Sequence, residues 1–205
     1  MSQIKLVHSG GNGVIISAPS SNPAANRTIT LPGNADGEML TTNNPKTGNI
    51  IQVVQTVKTS KFSSTSEDSW VAITGLAATI TPSSTSNKII IHVNIGCQSS
   101  FQNDYGLFYR IYRGGSNLTS IIGDADGNKT RCFVASRNSH NSRYQPVVMK
   151  YLDSPNTTSA ITYQVYCLLE DSGGAMIINS SGQYLNNDND IPAGASTITL
   201  EEVAG

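Results

Sequence analysis

Two stretches of this chain combine aromatic rings with amides and formal charges at short spacing: Gln102-Asn103-Asp104-Tyr105 and Arg137-Asn138-Ser139-His140-Asn141-Ser142-Arg143-Tyr144. Such pairing suits recognition of a sugar, whose apolar ring faces rest on aromatics while its hydroxyls meet polar groups, because both must be desolvated together. The candidate receptor- or glycan-binding residues are therefore Asn103, Asp104, Tyr105, Arg137, His140, Arg143 and Tyr144, on loops carried by a rigid scaffold. A plainer role for Tyr105 and Tyr144 is to staple long loops to the domain. Arg110, Arg113, Arg131, Arg137 and Arg143 lie mostly in the middle third and could equally form ion pairs between subunits with Asp104, Asp124 and Asp126.

Other chemistries find less support. Asp124-Ala125-Asp126-Gly127-Asn128 opens like a calcium loop, but the sixth position is Lys129 instead of Gly and the twelfth is Ala135 instead of Glu, so a tight turn between strands is the better account. Asn186-Asn187-Asp188-Asn189-Asp190 reads as a solvated loop before it reads as a cation site. His8, His92 and His140 are far apart, and Cys97, Cys132 and Cys167 lack the paired spacing that zinc requires. Neither Gly114-Gly115-Ser116-Asn117 nor Ser172-Gly173-Gly174-Ala175 is a nucleophile elbow. Among Asp104, Asp124, Asp126, Asp153, Glu170 and Asp171, no pair is selected by sequence for acid–base work. No enzyme, metal or cofactor is expected. Five Asn-x-Ser/Thr sequons, at Asn26, Asn117, Asn128, Asn156 and Asn179, are expected to follow from composition alone.

Composition narrows the partners. The 205 residues carry 13 Lys+Arg against 14 Asp+Glu, a net charge of -1, so neither a nucleic-acid backbone nor an acidic surface is met by bulk charge. Charged residues are 13%, about half the usual ~25%, while Ser, Thr and Asn make up about a third of the chain. Neutral hydroxyls and amides must cover the surface, and they disfavour helices. No apolar run approaches the ~20 residues of a membrane helix, and Met1 to His8 lacks the pattern of an export signal. Three widely spaced cysteines favour free thiols made in a reducing cytoplasm over a disulfide framework.

The elements that would hold such loops alternate with period two. In Lys88 to Gly96 one face carries Ile89, Ile91, Val93 and Ile95 and the other Ile90, His92 and Asn94, the pattern of a half-buried strand. The alternation predicts further strands at Ile50 to Lys58, Trp70 to Thr74, Ala77 to Thr81, Leu107 to Arg113, Leu118 to Ile122, Thr130 to Ala135, Pro146 to Leu152, Ala160 to Leu169, Ala175 to Asn179 and Ser196 to Glu201. Turn chemistry separates them, as in Gly114-Gly115-Ser116 and Asp153-Ser154-Pro155-Asn156. The expected fold is all-β: a jelly-roll-like β-sandwich over residues 49 to 205. Residues 1 to 48 hold only short apolar pieces, Ile4 to Val7, Gly13 to Ser17 and Thr28 to Leu31. They cannot offset ordering costs of ~1–2 kcal/mol per residue unaided; a flexible leader is the plainer reading, and the β propensity of Val14-Ile15-Ile16 and Thr28-Ile29-Thr30-Leu31 favours a β-rich stem ordered by self-association.

Read in order, Gly13-Val14-Ile15-Ile16-Ser17-Ala18-Pro19, Asn26-Arg27-Thr28-Ile29-Thr30-Leu31-Pro32, Asp36-Gly37-Glu38-Met39-Leu40, Ile80-Thr81-Pro82-Ser83, Leu152-Asp153-Ser154-Pro155-Asn156 and Ser196-Thr197-Ile198-Thr199-Leu200-Glu201 resemble the fibre-like virion proteins of tailed bacteriophages, marine and cyanobacterial phages especially. The resemblance implies a virion structural protein, a homotrimer that binds other virion proteins through its N-terminal stem and turns its β domain outward. As a tail-fibre protein it would bind a receptor on the host surface, for instance a polysaccharide. The alternative within the same family is a trimeric capsid decoration or cement protein. No residue-level site pattern comes with the resemblance.

Overall fold

The computed structural model describes residues 3–7, 9–17, 20–21, 45–101, 106–137, 144–170, 174–180 and 192–205. The chain divides into two compact units, Met1–Met39 and Leu40–Gly205. In the first, β1 (Gln3–Val7) and β2 (Gly13–Ser17) form an antiparallel hairpin, with Ile4 opposite Ile16 and Leu6 opposite Val14. The predicted strand Thr28 to Leu31 lies outside the described residues.

The second unit is an all-β, jelly-roll-like sandwich of antiparallel sheets. Its strands in chain order are β3 (Ile50–Lys58), β4 (Phe62–Ser64), β5 (Val71–Ile80), β6 (Lys88–Phe101), β7 (Gly106–Arg113), β8 (Ser116–Asn117), β9 (Val134–Arg137), β10 (Gln145–Asp153), β11 (Ile161–Leu169), β12 (Ala175–Ile178) and β13 (Ser196–Val203). One six-stranded sheet runs β3-β13-β6-β12-β4, with β10 on the other side of β6. The five-stranded sheet runs β5-β11-β7-β8, with β9 also paired to β7.

The core lies where the alternation places it. Ile89, Ile91, Val93 and Ile95 of β6 and Ile198 and Leu200 of β13 are buried together with Tyr109 and Ile111 of β7 and Tyr163, Val165 and Cys167 of β11. Two predicted strands, Trp70 to Thr74 and Ala77 to Thr81, are one: β5 continues through a bulge. Ile73 and Leu76, three apart, are both fully buried, which a regular strand of period two forbids. Across the bulge β5 advances five residues, Ala72 to Ala77, while β11 advances two, Tyr166 to Gln164, and Gly75, at φ 84, lies in this excursion, whose odd number of extra residues resets the phase. Where a strand was expected at Leu118 to Ile122, the backbone turns as a short 3-10 helix, Thr119–Ile121, after Leu118 N–H donates to Ile111 O at 3.1 Å. The pieces flanking β9 shift too: the strand starts at Val134, and the segment before it is a connection containing the Asp126-Gly127-Asn128 turn.

Candidate functional site

Of the seven residues expected to bind a receptor or glycan, Asn103, Asp104, Tyr105, His140 and Arg143 lie outside the described residues. Tyr144 is half-buried just before β10. Arg137 ends β9, opposite Gly106 at the start of β7. Its guanidinium stands 3.6 Å from the Glu170 carboxylate, which also accepts the Gly106 N–H at 2.8 Å. These residues, with Phe108 and Ala135, line a concavity of about 300 Å3. A second of about 480 Å3 shares Phe108, Ala135 and Glu170 and adds Asp68, Lys129 and Cys132. Burial raises the Cys132 thiol above its ordinary value, and the nearby Arg110 charge opposes that shift. Among the described residues no group of three or more His, Cys, Asp or Glu could hold a metal.

The rest of this sheet's outward face is covered by its own side chains. Arg110 lies 4.0 Å above the Trp70 ring and donates to Arg131 O, while Tyr112 and Tyr166 stack with centroids 3.7 Å apart. Of the arginines anticipated between subunits, Arg110, Arg113, Arg131 and Arg137 have partners within the chain, and Arg143 lies outside the described residues. Arg113 does the same between the sheets: its Nη1 reaches both oxygens of Asp153, at 3.0 and 2.9 Å, and Tyr163 donates to Asp153 Oδ2 at 2.6 Å. Asp153 belongs to the six-stranded sheet and the other two to the five-stranded sheet, so this cluster, with Asp153 and Tyr163 buried and Arg113 partly open, bolts the layers together. Burial first, then the bond and charge of Asp153, hold the Tyr163 phenol well above its ordinary pKa. A second buried carboxylate, Glu202, accepts from Ser83 N–H at 2.6 Å and Asn87 Nδ2 at 2.6 Å, tying the turn before β6 to β13.

The outward face of the six-stranded sheet is arranged differently. Strand pairing aligns three rows across β3, β13, β6 and β10: Val57-Thr197-Asn94-Val148, Gln55-Thr199-His92-Lys150 and Val53-Glu201-Ile90-Leu152. Gln55 Nε2 donates to Thr199 Oγ1 at 2.8 Å, and His92 Nε2 lies 3.6 Å from the Glu201 carboxylate. The four corners are apolar and open to solvent. Sequence reading missed them because each is a single aliphatic residue in the outward phase of its strand; the signal available was β-branched or leucine residues at alternate positions where Ser or Thr predominates elsewhere.

No protein-family model matches the chain, and no curated protein matches it. Among solved structures it is similar to infectious bursal disease virus Gx strain, at 16% identity and a TM-score of 0.39, covering 95% of this chain and 46% of that one. T=1 particles derived from the same virus give 15%, 0.41, 95% and 46%, and its VP2 subviral particle gives 17%, 0.39, 95% and 48%. The chain thus spans about half the length of the structures it matches, and at these scores the likeness assigns nothing beyond strand arrangement. The comparisons correct the resemblance to tailed-bacteriophage fibres: the similar structures come from capsid particles of a non-tailed virus, and the tail-fibre function, with its phage source and host-attachment role, is withdrawn. The physical reason is that Asp-Gly, Ser-Pro-Asn and Thr-Ile-Thr-Leu pieces are what any antiparallel domain needs at turns and strand faces, so they do not discriminate between assemblies that use such a domain.

Proposed function

We propose that this chain is a non-catalytic structural subunit of a virion shell, of the capsid-decorating or cementing kind, held in place by its N-terminal hairpin. The observation that carries the reading is the hairpin's open apolar face, where Ile4 is 64%, Leu6 60% and Ile16 51% exposed. An isolated two-stranded hairpin is marginal in water, and burying three such side chains against a shell protein contributes several kcal/mol at ~1.5–3 kcal/mol each. The homotrimer anticipated from the sequence is one arrangement in which hairpins of three copies bury the same faces. A sandwich whose buried carboxylates serve internal ties, under a neutral hydroxyl-rich surface, suits a part presented in many copies.

Antibody raised against the full chain is expected to label the outer shell of purified particles. The full-length variant Ile4→Asp with Ile16→Asp is expected to co-sediment with them at least about tenfold less, its circular dichroism unchanged. Undiminished co-sedimentation of the variant, or labelling that avoids the shell, would overturn the reading.

A further inference from the structure

All the exposed large aliphatic side chains described in the sandwich unit belong to the six-stranded sheet, on β3 and β10. Val148 is 68%, Val53 58%, Val57 53% and Leu152 47% exposed. The opposite sheet, facing the same solvent, leaves no large aliphatic or aromatic side chain so open among its described residues. A fold that closes one outward face with stacked rings and leaves six aliphatics, these four with Ile50 and Ile51 of β3, open on the other sheet has left that sheet for a partner.

We infer that the partner is a second copy of this chain, packed face to face through β3, β13, β6 and β10 about a twofold axis parallel to the strands. The pattern selects this occupant. Such an axis sets each row against its own copy with the strand order reversed, and because both ends of the first and third rows are aliphatic it lays apolar corner on apolar corner. Val57 then meets Val148, Val53 meets Leu152, and Thr199 meets His92. Lys150 comes opposite Gln55 and Glu201 opposite Ile90, which leaves Lys150 and Glu201 as diagonal neighbours, cation beside carboxylate across the axis. An axis across the strands at the middle row would set Lys150 directly on Lys150, and that like-charge contact disfavours it. Aligned packing of two sheets about 10 Å apart is the ordinary sandwich geometry, here made between molecules. This inference uses only the sandwich and does not depend on the hairpin or on a viral role.

The test is sedimentation of the full chain across concentration, beside full-length Val148→Asp and Val57→Asp and the hairpin variant Ile4→Asp. The native chain is expected to show a dimerisation step that the hairpin variant retains. Each sheet variant should weaken that step by about 100-fold or more, because a twofold interface carries every substitution twice. Both sites are solvent-exposed, so thermal transitions should stay close to that of the native chain. A chain that shows no dimerisation step up to about 100 μM, a step indifferent to both sheet variants, or one lost only with Ile4→Asp would overturn the inference; 100 μM is ample for a specific homodimer.

Discussion

At the position of a single side chain, burial decides what titrates. Cys167 falls on the core face of β11 and is fully buried, and desolvation pushes its thiol from the ordinary 9.0 up to about 12. Tyr163 is shifted upward in the same direction. Both groups stay protonated in the folded protein while the unfolded chain ionises, so the unfolded state binds fewer protons in alkali and stability falls as pH rises. The contribution of Cys167 is fully present below pH 9.0 and is lost progressively towards about 12, at about 1.4 kcal/mol per pH unit. Thermal melts from pH 8 to 11 should show this decline, and Cys167→Ala should flatten its first part. A pH-independent melting temperature would refute the assignment. The burial of Cys167 was legible in the sequence, since Ile161, Tyr163 and Val165 share its phase. The Arg113–Asp153–Tyr163 cluster was not, because its members come from three strands in two sheets and no local pattern joins them.

Among the elements, strands with clean alternation appear where periodicity puts them: β3 at Ile50–Lys58 is an example, and β11 differs by one residue. The departures have local causes. β5 contains Gly75 at φ 84, a backbone conformation that side chains with a Cβ adopt only at a cost. Gly75→Ala is expected to destabilise by about 1–2 kcal/mol, read as a lower urea midpoint, whereas Gly123→Ala, with open space around its Cβ position, should change it little. Equal midpoints for the two variants would show that the bulge is not set by this residue. β6 runs on past Gly96 to Phe101, where its last residues find new partners in β12. Such an extension depends on a distant strand and leaves no mark in the segment itself. For the candidate binding residues, sequence chemistry picked out Arg137, which does line a concavity, but Glu170 and Phe108 join it only through the pairing of β7 with β9 and the turn after β11.

For the whole molecule, the strand nearest the C-terminus is not peripheral. β13 lies between β3 and β6, pairs with both, and supplies Glu202 to the buried tie with Asn87. Removing residues 196–205 should abolish the cooperative thermal transition and the near-ultraviolet dichroism of the buried tyrosines; a truncated chain that still melts cooperatively would contradict this topology. What the sequence determined by itself was the class of fold and the composition of its core, because alternation with period two is written residue by residue along each strand. Tertiary structure alone decided how the two outward faces differ. An aliphatic residue in the outward phase says nothing until strand register sets it beside others, and that register joins residues 53, 90, 152 and 201, far apart in the chain. On one sheet the alignment brings Arg110 onto Trp70 and Tyr112 onto Tyr166, so the face is closed from within. On the other it gathers Val53, Val57, Val148 and Leu152 at the corners of an open surface, where removing water from apolar area requires another molecule.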